Sequence, residues 1–219
     1  MSNKMKVEIW SDVMCPFCYI GKRHLEEALQ DFDQKDEIEI IWKSFQLNPD
    51  LPEVADTDKS VYQYLAEAKG MSYEQSVEMH RNVVEMAKKA GLDYNFDDAV
   101  VANSFKSHRL LQIAKEKGLG DDLEERLFSA YFIEGKDTSS DKVLIALGNE
   151  IGLSEEEVNH ALTNEKYAKM VKDDIQESRR IGVSGVPFFV FDRKYAVSGA
   201  QPPEAFIQVL ERSVSEWKE

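Results

Sequence analysis

Cysteine occurs in this chain at positions 15 and 18, with Pro16 and Phe17 between them. The preceding segment Lys6-Val-Glu-Ile-Trp10 alternates like a strand and a helical pattern follows, so Cys15 falls at a strand-to-helix junction. Residues three apart on a helix stand about one turn from each other, near enough for their sulfurs to close a small ring. The first sulfur lies at the positive end of the helix dipole, which favours a thiolate there. Because the thiolate is the attacking species in disulfide exchange, Cys15 reads as the nucleophile and Cys18 as the resolver. Three plainer readings compete. A structural disulfide over so short a loop removes little entropy from the unfolded chain. A zinc site needs four ligands, and His24, His80, His108 and His160 supply no pair at ligand spacing. Two small core cysteines around a helix-opening proline are the third reading.

The chain has 219 residues, 42% of them hydrophobic, enough for a sizeable core without covalent staples. Its net charge of -14, from 41 acids against 27 bases, opposes nucleic acid and anionic membrane surfaces as partners. No apolar stretch approaches membrane-spanning length, and Met1-Ser-Asn-Lys-Met5 enters the first strand without the apolar core of a secretion signal. A cytoplasmic protein is therefore expected, and in that compartment a lone Cys-x-x-Cys more often cycles than staples.

Strands are expected at 7–10 and 37–42, enclosing a helix from Pro16 to about Asp31. The prolines of Phe45-Gln-Leu-Asn-Pro-Asp-Leu-Pro52 mark a loop. Helical sequence then fills 59–69, 72–90, 97–117, 121–134, 141–151, 154–163 and 165–180. Strand character returns at Pro187-Phe-Phe-Val-Phe191, turns at Asp192-Arg193, continues through Lys194 to Ser198, and gives way to a last helix from Pro203 to Trp217. The fold class is α/β: a mixed four-stranded sheet flanked by helices and interrupted by a large all-helical insertion. The expected domains are 1–55 with 181–219 for the sheet and 56–180 for the insertion.

Several polar residues have two readings. Asp12, three residues before Cys15, is either a helix cap or a carboxylate that tunes the pair and moves protons for Cys18. Lys22 and Arg23 read as solvated helix charges. Asp93, Asn95 and Asp97 open like a calcium loop, but Asp98 stands where glycine is needed and Ser104 where the bidentate glutamate belongs. Pro187 on its residues alone reads as a trans proline opening an edge strand.

Taken together, Ser11-Asp12-x-x-Cys15-Pro-Phe-Cys18-Tyr-Ile-Gly-Lys22, Gly182-Val-Ser-Gly-Val-Pro187-Phe-Phe-Val190 and Ser198-Gly-Ala-Gln-Pro-Pro-Glu204 resemble the DsbA-like branch of the thioredoxin superfamily, most closely its FrnE-like oxidoreductases. The resemblance spans nearly the whole chain and implies a thioredoxin-like sheet. It implies a thiol-disulfide oxidoreductase, reductase or isomerase, acting through Cys15 and Cys18 by a mixed disulfide, with Pro16, Phe17, Val186 and Pro187 against the substrate. It implies that Val186-Pro187 is cis and faces the cysteines, X-Pro being the one bond where cis is cheap. The segment Asn103-Ser-Phe-Lys-Ser-His108-Arg109-Leu110 resembles a family helix near the cleft, where His108 would contact substrate or assist proton movement; otherwise it is an exposed or hydrogen-bonded helical histidine. No metal or organic cofactor is required, and glutathione is a candidate co-substrate. The implied partners are disulfide-containing proteins or small thiols, and a homodimer stays open. Phe17 stands where the family usually has Trp, and the C-terminal cysteine pair of some FrnE-like proteins is missing. Since Phe17 brings no donor or charge, the expected potential is nearer the roughly -270 to -180 mV of thioredoxin and the disulfide isomerase than the about -120 mV of the periplasmic oxidase. The competing function is a glutathione-dependent transferase or isomerase of the kappa-class or hydroxychromene-carboxylate isomerase type, against which retention of both cysteines tells.

Overall fold

The computed structural model of the chain describes residues 4–30, 32–55 and 58–218. Strand β1 (Met5–Ser11), helix α1 (Pro16–Gln30), a 3₁₀ turn (Lys35–Glu37) and strand β2 (Ile38–Ser44) come first. Then follow α2 (Val61–Lys69), α3 (Tyr73–Lys89), α4 (Phe105–Glu116), α5 (Gly120–Phe132), α6 (Asp141–Glu150), α7 (Glu155–Thr163) and α8 (Glu165–Arg180). The chain closes with β3 (Phe188–Phe191), β4 (Tyr195–Ser198) and α9 (Pro203–Trp217). The expected helix end at Asp31 and the expected domain boundary at 55 and 56 involve residues outside those described.

The sheet has the order β2-β1-β3-β4. β1 and β2 are parallel, in register from Met5 opposite Ile38 to Ser11 opposite Ser44. A parallel pair needs a crossover of a dozen or more residues, and α1 supplies it. β3 runs antiparallel to both β1 and β4. Lys194 N–H donates to Phe191 O at 2.9 Å, and Asp192 and Arg193 have φ of 47° and 55°, which makes the hairpin turn type I′ in form. This is the mixed sheet with a helical insertion that the residue pattern leads to.

Several element bounds differ from expectation, β1 running from Met5 to Ser11 where 7–10 is expected, and two of the differences have a visible cause. β2 starts at Ile38 and runs to Ser44, because residues 35–37 are taken into the 3₁₀ turn and Ser11 of β1 pairs with Ser44. The helix expected from 97 begins only at Phe105. Before it, Val100 bridges to Ser60, and the Asn103 side chain accepts from Phe105 N–H at 2.9 Å while donating to Leu51 O at 2.6 Å. An Asn side chain that binds nearby backbone competes with helix in this way.

Buried apolar residues of the sheet frame, including Ile9, Ile20, Phe189 and Phe206, form one cluster with Leu110, Phe128, Phe132 and Leu144 of the helical segment. α8 braces the sheet through polar contacts as well. Trp10 Nε1 donates to Asp174 O at 3.1 Å, and the Asp174 carboxylate accepts from Ser44 N–H at 3.1 Å and from Gln112 Nε2 at 2.8 Å.

On α1, Gly21 allows a close approach to the segment that leads into β3. A Cβ there would stand 3.1 Å from both Phe189 Cζ and Pro187 Cγ. Neither a fully buried ring nor a proline yields easily, so overpacking, typically about 1–3 kcal/mol, outweighs the helix preference for alanine of at most about 1 kcal/mol. Gly21→Ala is therefore expected to lower stability by about 1 kcal/mol, read as a lower urea midpoint at unchanged slope.

Candidate active site

The sheet register decides what meets the cysteines. β1 ends at Ser11, opposite Ser44 of β2, and Trp10 pairs with Phe188 of β3. The chain just past Ser11 therefore lies beside residues 45–47 on one side and 186–187 on the other. Phe45 N–H donates to Ser11 O at 2.9 Å, which continues the parallel ladder by one step. A turn from Asp12 to Cys15, closed by Cys15 N–H to Asp12 O at 2.9 Å, leads into α1. Pro16 at the first helical position gives up an N–H that has no intrahelical partner there.

Cys15 and Cys18 are free thiols, 3% and 1% exposed, one turn apart at the start of α1. Cys15 Sγ donates to Val186 O at 3.4 Å, and the Val186-Pro187 bond is cis. Pro187 is buried and Pro16 half-buried, whereas Phe17 is 37% exposed and presents its ring outward. Tyr94, from the segment after α3, donates its hydroxyl to Pro16 O at 2.7 Å and stacks on Phe132 with ring centroids 4.7 Å apart.

Asp12 is fully buried and does not cap α1. Its Oδ1 accepts from Met14 N–H at 3.3 Å and its Oδ2 from Leu47 N–H at 2.7 Å, which pins the loop after β2 to the cysteine turn. His108 is neither exposed nor hydrogen-bonded: it is wholly buried on α4, with Nε2 3.5 Å from Asp12 Oδ1 and no hydrogen-bond partner for either ring nitrogen among the described residues. It cannot touch a substrate on the surface. Lys22 is not a solvated charge either. It is 3% exposed and ion-paired with Glu26, Asp121 and Glu125, because it lies on the α1 stripe of Cys18, Tyr19 and Leu25. Arg23 pairs with Glu26 and Glu125 beside it.

Two further polar residues pair in the buried interior at the end of β1. Ser11 Oγ donates to Glu124 Oε1 at 2.7 Å, and Glu124, on α5, is fully buried with Oε2 unpartnered. Burial, then the neighbouring Cys15 thiol, holds the Cys18 thiol well above its ordinary pKa, with the Asp12 N–H and the Ser11 hydroxyl pulling the other way. Burial likewise pushes the Glu124 carboxyl up to about 7, against the Ser11 hydrogen bond and the nearby His108 and Lys22. The Tyr94 hydroxyl is driven up by burial and then by the adjacent Cys15 and Cys18. Tyr94 and Glu124 are not found by reading motifs, and Ser11 enters only as the first residue of the Ser11-Asp12-x-x-Cys15 motif, without a role of its own. The available signal for Glu124 is its place three and four residues before Leu127 and Phe128, on the apolar face of α5. Among the described residues no cluster of His, Cys, Asp or Glu could hold a metal ion.

A mixed sheet broken by helices, with a Cys-x-x-Cys at the head of the first helix facing a cis-proline loop, defines the DsbA type of thiol-disulfide protein. The chain belongs to the DSBA-like thioredoxin domain family, whose model matches residues 6–211. A probable DsbA oxidoreductase from Streptomyces coelicolor is 38% identical, with 97% of this chain and 91% of that one covered and a TM-score of 0.88. A cytosolic disulfide reductase, DsbM, from Pseudomonas aeruginosa is 18% identical, with 96% and 98% covered and a TM-score of 0.68. A 2-hydroxychromene-2-carboxylate isomerase is 14% identical, with 97% and 96% covered and a TM-score of 0.66. At the last two identities the likeness shows the shared fold.

The buried Glu124 makes stability pH-dependent. Its pKa is raised on folding, so the native state binds the extra proton between the ordinary carboxylate range and about 7. Its contribution is thus complete below the unfolded value and is lost as pH rises through about 7. The loss is on the order of 3 kcal/mol. Glu124→Gln is expected to flatten that part of the curve, measured as urea stability at a series of pH values.

Proposed function

We propose that this protein is a thiol-disulfide reductase or isomerase that works through a Cys15 mixed disulfide. The observation that carries the reading is the contact of Cys15 Sγ with the carbonyl of Val186 in the cis-proline loop, at the head of α1. Cys15 attacks one sulfur of a substrate disulfide, and the other substrate sulfur leaves with the electron pair and takes a proton. Cys18 then attacks Cys15 Sγ, closing the Cys15–Cys18 disulfide and releasing the first substrate sulfur as a thiol. Substrate oxidation is the same sequence reversed. Pro16, the exposed Phe17, Val186 and Pro187 form the wall for the substrate, along which an extended segment pairs with the backbone of the loop before β3.

The substrates are disulfide-containing proteins or small disulfides, with glutathione as the thiol co-substrate and the cytoplasm as the compartment. Support for glutathione is by analogy: the DsbM protein has also been solved with GSH. The isomerase-like neighbour supports a glutathione-dependent isomerase as second reading, but both thiols are present here and one turn apart, which an exchange cycle uses and a single-nucleophile mechanism does not.

Cys15→Ser is expected to abolish reduction of a model disulfide, whereas Cys18→Ser accumulates a mixed disulfide at Cys15, seen as the added mass of one substrate half. Full activity in both variants would overturn the exchange reading. Equilibration of the Cys15–Cys18 pair with glutathione buffers is expected to give a potential within roughly -270 to -180 mV. A value at or above about -130 mV would mark an oxidase instead.

A further inference from the structure

The helical segment bonds to the backbone of the cysteine turn through Tyr94. The residue belongs to the stretch after α3 in which Leu92, Tyr94 and Phe96 are buried while Asp93 and Asp97 are exposed. Asn95 N–H donates to Phe132 O at 2.7 Å and pins that stretch to the end of α5. The Tyr94 ring stacks on Phe132 at 4.7 Å between centroids, meets Phe96 edge to face at 5.6 Å, and lies 6.1 Å from the Tyr19 ring of α1. A ring held from three sides aims its hydroxyl, which donates to Pro16 O at 2.7 Å.

Pro16 is the first residue of α1, so the helix already gives its carbonyl the N–H of Ile20. A carbonyl oxygen has two lone pairs, and the phenol takes the second. The same peptide unit carries the Phe17 N–H at its other end. That N–H belongs to the first turn, where the helix offers it no acceptor, and such groups make up the positive end of the dipole. A donor on the oxygen polarises the unit and makes its N–H more positive. Cys15 stands immediately before this turn, and on the loop side its sulfur faces only the carbonyl of Val186. Support for negative charge on that sulfur therefore comes from the helix side.

We infer that Tyr94 is a positioning residue that sets the redox potential of the Cys15–Cys18 pair. By bonding Pro16 O, its hydroxyl orients and polarises the first peptide unit of α1 and so stabilises the reduced form, in which Cys15 bears the charge. The inference deepens the exchange mechanism and rests on it. In the equilibrium concerned, two glutathione thiols give two electrons to the Cys15–Cys18 disulfide and join as glutathione disulfide. Their two protons pass to the reduced pair or, for a Cys15 thiolate, to water. Stabilising the reduced form makes the pair more oxidising. Tyr94 is 6% exposed and acts on the sulfur through Pro16, without touching substrate.

A buried tyrosine hydroxyl usually has an acceptor for packing reasons alone. The test therefore weakens and strengthens the donor at constant shape. Tyr94→Phe removes only the hydroxyl, leaving the ring in its stack and Pro16 O with its helical partner. Site-specific 3-fluorotyrosine at position 94 keeps the ring and makes the hydroxyl a stronger donor. Each protein is equilibrated with glutathione buffers at neutral pH, and the reduced fraction is read by mass after alkylation. In Tyr94→Phe the equilibrium constant for reduction of the pair is expected to fall about threefold to tenfold, the range of one net hydrogen bond. The potential then becomes about 15 to 30 mV more negative. The fluorinated protein is expected to shift the opposite way. Urea unfolding of the two redox forms supplies the cross-check, since Tyr94→Phe must then cost the reduced protein more than the oxidised one. A purely structural hydroxyl predicts an equal loss in both forms and an unmoved potential, and that outcome, or a shift in the same direction in both variants, overturns the inference while leaving the exchange mechanism intact. A wild-type pair that does not equilibrate with glutathione at any ratio overturns both. Should Tyr94→Phe not fold, the fluorinated protein decides alone: a potential that is unmoved or more negative refutes the role.

Discussion

The parallel pairing of β1 with β2 is the constraint on which the site depends. A parallel neighbour forces the chain to cross over, and the crossover helix must start where β1 stops. That places a helix N-terminus, and with it the two thiols, at the carboxyl edge of the sheet. Once β3 has joined β1 in antiparallel register, the loop ahead of β3 has nowhere to go but the same edge, and Val186 comes to rest on Cys15. The extension of β2 to Ser44 brings the third loop, so that Leu47 N–H can reach Asp12. Three loops meet there because β1 and β2 finish at that edge and β3 begins at it.

The helical segment contributes in a different way. It supplies Tyr94 to the Pro16 carbonyl, His108 beside Asp12, and Glu124 beneath Ser11. These are polar groups in a closed apolar setting, where each charge or proton matters more than it would in water. The sheet frame sets where sulfur sits; the helical segment surrounds it with buried polar groups. Gly21 adds a steric link, for without a side chain there α1 lies directly on Pro187 and Phe189.

Much of this architecture can be read from the residues. Cys15-Pro16-Phe17-Cys18 stands at an alternating-to-helical change of period, and the apolar run after Pro187 with its Asp192-Arg193 break marks a hairpin, since local pattern governs both. The buried polar groups are another matter. Glu124 stands among Asp121, Asp122 and Glu125 and reads as one more acid on a wet face; only its spacing to Leu127 and Phe128 betrays it. Lys22 is disguised in the same way by Arg23. Asp12 looks like a cap because caps are common before helices, while its actual partner, Leu47, is far along the chain and no local rule points to it. Long-range partners of polar residues are set by the register of strands, which single-residue propensities do not encode.

The sheet is assembled from distant parts of the chain, and this has a bearing on how the protein is made. β1, α1 and β2 leave the ribosome more than a hundred residues ahead of β3. At about 5–20 residues per second, the cysteines exist for on the order of ten seconds before Val186 is synthesised. During that interval β1 has one free edge, and Cys15 and Cys18 have no loop above them. The nascent chain therefore carries an open dithiol into a crowded environment, and the cover over it is among the last pieces to arrive.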